Sequence, residues 1–128
     1  MAWFVAHALM VLRPQRPVDQ PLFCWENLIL LEAELDADLW SMAEKRALEV
    51  DASKEYERHS EYPVPARWEF AGIRKIVQVR NDTEEGRLRS GDELSYNTLL
   101  LDSQEDVDIF VSGDECSLRL AKDRADDE

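Results

Sequence analysis

The 128-residue sequence has few of the residues that build disulfide frameworks, metal centres and phosphate-binding loops. Its two cysteines, Cys24 and Cys116, are far apart and each stands in an apolar run, which predicts two reduced, buried thiols and no disulfide. The two histidines, His7 and His59, are isolated and give no cluster of metal ligands. The four glycines form no phosphate-binding loop, and no G-x-S-x-G nucleophile motif occurs. The sequence therefore predicts no metal, no cofactor and no readable catalytic residue.

No hydrophobic run is long enough to cross a membrane. The apolar run at residues 2–12 is far shorter than the roughly 20 residues that a transmembrane helix needs. No basic region precedes that run and His7 interrupts it, so it does not resemble an export signal. We therefore expect no membrane association and a cytoplasmic location, where reduced cysteines are stable.

Positive charge is also scarce, because 15 basic residues against 28 acidic ones leave a net charge of −13. Residues 92–128 hold twelve acidic and three basic side chains, so most of the acidic excess lies in the last third. Such a field repels nucleic acids and anionic membranes and attracts basic proteins. It predicts a basic protein partner, although solubility alone also explains the charge. Residues 123–128 are predicted to be a disordered acidic tail.

The sequence does contain enough apolar surface for a core, since 45% of its residues are hydrophobic. Residues 2–12 are apolar at nearly every position, which is typical of a central strand covered on both faces. A second strand, about residues 23–34, alternates in polarity. The face that carries Trp25, Ile29 and Leu31 is the better core candidate, and Trp25 and Trp68 are expected at a common end of the sheet.

A helix is predicted over residues 36–58. Asp36 can cap its first turn, and Asp38 adds negative charge near the positive end of the helix dipole. At 100° per residue the apolar side chains collect on one face, which we expect to pack on the sheet. The packing residues of that face are Leu39, Ala43, Ala47 and Val50.

Two further strands are predicted to complete the sheet. The third spans about residues 66–80, and because its apolar residues change parity midway, a bulge is expected near Ala71 and Gly72. The fourth, about residues 93–101, is expected to pair with the third as a long-looped hairpin. The prediction is therefore an α+β fold in a single domain over residues 1–122. Its antiparallel sheet has four or five strands, with one main helix packed on one face.

The region 103–121 allows two interpretations. Ser103 followed by Asp106 resembles a helix cap and Gly113 suits a helix end, which favours a short helix over residues 103–113. The same residues alternate in polarity and could instead form a hairpin with residues 116–120. The short helix is the preferred interpretation.

Few titratable residues suggest chemistry. Glu26 and Glu69 could face each other across neighbouring strands and do acid–base work. The competing interpretation is that Arg67 or Arg74 partners these acids, and it is favoured. His7 stands in an apolar strand and is interpreted as a core histidine whose nitrogens are hydrogen-bonded.

The acidic residues of the last third lack the calcium-loop pattern with its central glycine, so a solvated face is favoured over a metal site. The residues predicted to bind a partner are Asp106, Asp108, Asp114 and Glu115. A basic hairpin over residues 67–89, with Trp68 and Phe70 as stacking surfaces, could bind nucleic acid, but the net charge of the chain disfavours it.

Four short aromatic motifs occur in order around the acidic-capped helix. They are Trp3-Phe4-Val5-Ala6, Trp25-Glu26-Asn27, Arg67-Trp68-Glu69-Phe70-Ala71-Gly72-Ile73 and Gly91-Asp92-Glu93-Leu94-Ser95-Tyr96. This series resembles the bacterial family catalogued as domain of unknown function 4288, over roughly residues 2–101. The resemblance implies a compact α+β domain in a bacterial cytoplasm. It brings no known activity, so no functional residue is transferred.

The function predicted from the sequence is a non-enzymatic protein-interaction module of a bacterial cytoplasm. Its most concrete version is an immunity-type inhibitor that blocks a basic partner with an acidic surface. The alternative is a small enzyme, either a hydrolase or a nucleic-acid-associated one, whose site no motif reveals. A partner protein would support the first function, and a pocket with perturbed titrating groups would support the second. The oligomeric state is left open.

Overall fold

The computed structural model describes residues 1–50, 54–80 and 86–121. The chain divides into two compact units, Met1–Ser95 and Tyr96–Glu128. The first unit contains β1 (Ala2–Pro14), β2 (Phe23–Ala33), α1 (Leu39–Val50) and β3 (Ala66–Gln78). The second contains β4 (Leu99–Leu100), α2 (Gln104–Ser112) and β5 (Arg119–Leu120). The fold is α+β, as predicted.

β1 is the central strand of the first unit. The sheet has the order β2-β1-β3, and both pairs are antiparallel. Side chains of both parities along β1 are buried, because a strand with neighbours on either side and near-continuous apolar character is covered on both faces. The prediction of a central strand at residues 2–12 is confirmed.

α1 packs across one face of this sheet. Ala43 and Ala47 have no exposed surface and lie in a core with Phe4 of β1, Leu31 of β2 and Ile73 of β3. The two small side chains let the helix approach the strands closely, which increases the contact between them. The predicted helix face is confirmed at these two alanines, and Leu39 packs against the same core. The side chain of Val50 lies outside the described part.

α1 is shorter than predicted at both ends. Its cap is Asp38 and not Asp36, because the Asp38 carboxylate accepts hydrogen bonds from the Ser41 backbone N at 3.2 Å and the Ser41 hydroxyl at 2.8 Å. These bonds, that of the Ser41 hydroxyl foremost, lower the pKa of Asp38. The prediction of helix as far as residue 58 is wrong for residues 54–58, where Glu57 forms a β-bridge with Ala66.

β3 carries two irregularities where it pairs with β1. The register skips Ala71 between Leu9 and Met10, which confirms the bulge expected there. It also skips Arg74, because His7 pairs with Lys75 while Ala8 pairs with Ile73. A skipped residue bends and twists its strand, so this second bulge re-aims the side chain of Arg74.

The predicted fourth strand does not join the sheet. Within the described residues the main sheet has three strands. The one backbone bridge that the described part of region 93–101 makes to the chain around β3 joins Glu93 to Arg80, beyond the end of that strand. Leu99 and Leu100 instead form β4 and pair with β5 in a separate two-stranded sheet. The expectation of four or five strands and one main helix is therefore wrong.

α2 confirms the helical interpretation of residues 103–113. The Ser103 hydroxyl accepts a hydrogen bond from the Asp106 backbone N at 3.2 Å and caps the helix. Gly113 ends it with a φ of 89°, a left-handed conformation that glycine adopts without a steric penalty.

Other expectations concern the cysteines and the chain ends. Cys24 and Cys116 are both free, as predicted, but the expectation that both are buried is wrong, because Cys24 is exposed on β2 and Cys116 is only half-buried. The predicted boundary between a domain at 1–122 and a tail at 123–128 falls outside the described residues, so it stays a prediction.

Neither helix of the described chain combines the length and the apolar content that a membrane crossing requires.

We predict that Ala43→Glu lowers the free energy of unfolding by roughly 3 kcal/mol, because it places an unpaired carboxylate between α1 and the sheet. Urea unfolding of the two proteins measures this difference. Leu48→Glu is the matched control, since Leu48 is 57% exposed on the same helix and should change stability by less than about 0.5 kcal/mol. Equal losses in the two variants would mean that the assigned helix face is wrong.

Candidate functional site

Four polar side chains meet on the sheet face opposite α1. We call them the polar cluster: His7 of β1, Glu26 of β2, Arg74 of β3, and Ser95 at the end of the first unit. His7 is only 1% exposed, whereas Glu26 and Arg74 are about one-quarter exposed. All three strands and the segment that ends at Ser95 therefore contribute to one site.

The hydrogen bonds of the polar cluster run in a single chain. Arg74 donates from Nε to Glu26 Oε2 at 2.6 Å and from its second terminal nitrogen to Oε1 at 3.1 Å. His7 Nδ1 lies 2.7 Å from Glu26 Oε1, and His7 Nε2 is hydrogen-bonded to the Ser95 hydroxyl. Because a carboxylate only accepts, Nδ1 must carry the imidazole hydrogen. Nε2 is then the acceptor, and the Ser95 hydroxyl donates to it.

Strand register explains how these residues meet. Glu26 pairs with Leu9 on β1, two residues along from His7, so the two side chains are diagonal neighbours on one face. The bulge in β3 brings Arg74 towards the same face, beside Lys75, which pairs directly with His7. Lys75 is also buried. Arg74 and Lys75 therefore place two cations on the face of the sheet that carries His7.

The electrostatics of the polar cluster favour the ionised carboxylate. The hydrogen bond from Arg74 is the largest influence, and with the His7 bond it outweighs desolvation and lowers the pKa of Glu26 from 4.5 to about 2. Glu26 therefore remains an anion at every physiological pH. A fixed anion at Nδ1 holds His7 in one tautomer and one orientation.

A second group of side chains, the aromatic cluster, lies at the start of β2. Trp25 and Trp68 stack with ring centroids 4.5 Å apart, which confirms that the two tryptophans share one end of the sheet. Phe23 and His59 each lie 6.4 Å from the Trp68 ring. A cleft of about 420 Å³ beside them is lined by residues of the segment 58–64. Trp25 remains 53% exposed, so the cluster has an open aromatic surface.

The outer side of β2 is unusually apolar for an exposed strand. Leu28 and Leu30 are 58% and 43% exposed, on the face that carries Glu26. Among residues 1–50, 54–80 and 86–121, no strand pairs with the edge of β2 that faces away from β1. We call this edge the β2 edge.

The predicted partner-binding acids all lie in the second unit. Asp106 and Asp108 are on α2, where the Asp108 carboxylate accepts a hydrogen bond from the Gln104 side chain at 3.0 Å. Asp114 and Glu115 follow the helix and are exposed. Two residues two positions apart on a helix point in different directions, so Asp106 and Asp108 do not share one face. Their role in binding stays a prediction.

The pairing of Glu26 with Glu69, the less favoured of the two interpretations, does not occur. β1 separates the strands that carry these acids, and Glu69 lies 3.6 Å from Arg13 instead. The competing interpretation, in which Arg67 or Arg74 partners Glu26, is confirmed for Arg74. Ser95 stands in one of the four short family motifs, but that motif has no catalytic pattern, and Ser95 was missed as a site residue because it is 88 residues from His7. No group of three metal-ligating side chains converges anywhere in the described ranges.

Comparisons with known proteins identify one family. The sequence profile of the family described as Domain of unknown function (DUF4288) matches residues 3–94, which includes His7, Glu26 and Arg74 but stops one residue before Ser95. No curated protein and no solved structure matches the chain.

The lowered pKa of Glu26 predicts how stability depends on pH. A carboxyl group whose pKa is lower in the folded protein stabilises it above the unfolded pKa, here 4.5, and that contribution is lost as the pH falls towards 2. We predict that Glu26→Gln is less stable than the parent at pH 7 and loses less stability over this acidic range. Urea unfolding at several pH values measures both effects.

Glu32→Gln is the control for this experiment, because Glu32 is an exposed acid on the same strand and should leave the parent's pH profile in place. If Glu26→Gln and the parent lose stability in parallel on acidification, the ion pair with Arg74 is not the stabilising interaction that the geometry indicates.

Proposed function

Because the chain belongs to the family of unknown function whose profile it matches, we propose its function from the structure: a protein-interaction module that binds an extended segment of a partner along the β2 edge. In this mode a partner strand adds to a sheet through main-chain hydrogen bonds, and alternate side chains provide specificity. The observation that carries the proposal is a strand of 11 residues at the margin of the sheet, one face of which exposes Leu28 and Leu30.

The backbone of β2 can accept a further strand. In an antiparallel pair every second residue directs its N–H and C=O groups towards the neighbouring strand, and the others direct theirs outward. Natural proteins usually protect such outward groups with lysine, proline, bulges or a covering element. β2 contains no lysine, proline or glycine, and its register with β1 is unbroken from Ala33 to Phe23.

The opposite margin of the sheet, on β3, differs in each of these respects. β3 contains two bulges in its register with β1, and the charged residues Arg67, Arg74 and Lys75 lie along it. Both features discourage strand addition. The contrast between the two margins supports the β2 edge as the binding edge.

The side chains of β2 favour a partner segment that is apolar in its middle and basic at one end. Leu28 and Leu30 offer apolar contact on one face, and Trp25 offers aromatic contact on the other. The strand then leads into exposed acids at Glu32 and Glu34, which attract positive charge. A basic extended segment is therefore the complementary partner.

This proposal gives a physical form to an acidic, immunity-type inhibitor. An inhibitor that adds a strand to a basic partner would cover the partner's extended segment, and the net charge of −13 would speed the encounter at low salt. The acidic residues of the second unit, Asp106, Asp108, Asp114 and Glu115, would then steer the approach, while β2 makes the contact.

We predict that a photo-reactive residue in place of Leu28 or Leu30 cross-links one basic protein in a bacterial lysate, through residues of a single short segment. Because side chains on one face of a strand are two residues apart, the two positions should reach partner residues that are also close to two apart. Mass spectrometry of the cross-linked peptides identifies these residues. The purified partner should then bind Leu28→Lys at least about tenfold more weakly than the parent.

Leu48 is the matched control, because it is 57% exposed against 58% for Leu28 and belongs to α1, which packs on the opposite face of the sheet from Leu28. Cross-linking from position 48 should be weak, and Leu48→Lys should keep the parent's affinity. The proposal is wrong if positions 28 and 48 cross-link the same proteins equally, or if the main product is a second copy of this chain. A photo-reactive residue can also be placed at Asp108. If that position cross-links a basic protein and positions 28 and 30 do not, binding belongs to the acidic residues of the second unit.

A further inference from the structure

The polar cluster has the order of side chains that activates a serine. Ser95 is part-exposed, His7 behind it is 1% exposed, and Glu26 behind His7 is held by two hydrogen bonds from Arg74. A nucleophile hydrogen-bonded to a base that a third group orients is the arrangement that generates a reactive hydroxyl. The arrangement is recognised by geometry and not by sequence order, since it occurs on unrelated folds.

We propose that Ser95 is the nucleophile of an acyl-transfer reaction on a carboxylic ester, with His7 as its general base and Glu26 as a positioning residue. The imidazole has one tautomer available, because the Glu26 carboxylate can only accept and therefore keeps the hydrogen on Nδ1. The lone pair of Nε2 then points at the hydrogen of the Ser95 hydroxyl. That hydrogen is in position to transfer when the oxygen attacks.

Each atom in the reaction is accounted for. Ser95 Oγ bonds to the carbonyl carbon of the ester while its proton moves to His7 Nε2. The tetrahedral intermediate then expels the alcohol, which takes the proton from His7, and an acyl group remains on Ser95. Water attacks this acyl group and gives one proton to His7, the acyl–oxygen bond breaks, and the carboxylic acid leaves as Ser95 regains the proton.

The surroundings of the polar cluster suit an uncharged acyl group. Leu28 is the register partner of His7 on β2 and is exposed on the same face. It offers an apolar surface next to the His7 imidazole, the proposed general base. The positive charge of Arg74 is balanced by Glu26, whereas the buried Lys75, the register partner of His7 on β3, adds positive charge on this face, which favours the negative oxygen that develops during attack. An ester of a short apolar acid, such as p-nitrophenyl butyrate, is therefore the appropriate probe.

Two measurements on the purified protein test the proposal. The first is labelling with an alkyl fluorophosphonate, which phosphonylates an activated serine and releases fluoride; intact mass and peptide mapping should find one adduct, on Ser95. The second is hydrolysis of p-nitrophenyl butyrate. Ser95→Ala should abolish both signals, and His7→Gln should slow both by about 100-fold or more, because general-base catalysis contributes at least that factor. Glu26→Gln should lower the rate constant of hydrolysis more than it changes KM.

Ser90→Ala is the matched control, since Ser90 is exposed and lies five residues from Ser95, while the two ring nitrogens of His7 are bonded to Glu26 and Ser95. It should keep the labelling rate and the esterase rate of the parent. Circular dichroism of each variant separates lost chemistry from lost folding, and the labelling of the unmodified protein needs no variant at all. The proposal is overturned if the unmodified protein takes no label on Ser95, or if Ser95→Ala hydrolyses the ester as fast as the parent.

Discussion

The first unit depends on the ionised carboxylate of Glu26, which lies between the guanidinium of Arg74 and the imidazole of His7. These bonds connect β2 to β3 and to β1, and the bond from His7 to Ser95 continues the connection to the last residue of the unit. A part-buried charge that lost one partner would be costly, so the four side chains stabilise one another as a set. The same set fixes the histidine tautomer on which the proposed chemistry rests.

Much of the first unit could be predicted from local patterns. The continuous apolar run of β1 indicates a strand covered on both faces, and the spacing of Ala43 and Ala47 indicates the packed face of α1. The start of α1 was predicted wrongly because Asp36 and Asp38 are both suitable helix caps. Only the hydrogen bonds from Ser41 to Asp38 show which of them is the cap. The prediction that residues 93–101 pair with β3 failed because Leu99 and Leu100 pair instead with β5, about twenty residues further along the chain.

The functional features were harder to predict, for physical reasons. The alternation in β2 indicated one buried face and put Leu28 on the other, but alternation alone does not distinguish an edge strand from a central one. The open edge of β2 and the exposure of Cys24 were therefore not predicted. The sequence suggested Arg74 as a partner of Glu26 without indicating the bulge that aims it. Ser95 belongs to the polar cluster only through tertiary packing. The exposed β2 edge and the polar cluster are therefore consequences of tertiary structure that local sequence patterns do not indicate.

The central claim is that Glu26 holds His7 with its hydrogen on Nδ1 and with Nε2 free to accept the Ser95 proton. Nitrogen-15 NMR of the imidazole in the native protein at pH 7.5 measures this directly, because protonated and unprotonated ring nitrogens have well-separated chemical shifts. The account predicts a protonated Nδ1 and an unprotonated Nε2 for His7, and loss of this pattern in Glu26→Gln. An unprotonated Nδ1, or protons on both nitrogens, in the native protein would contradict it.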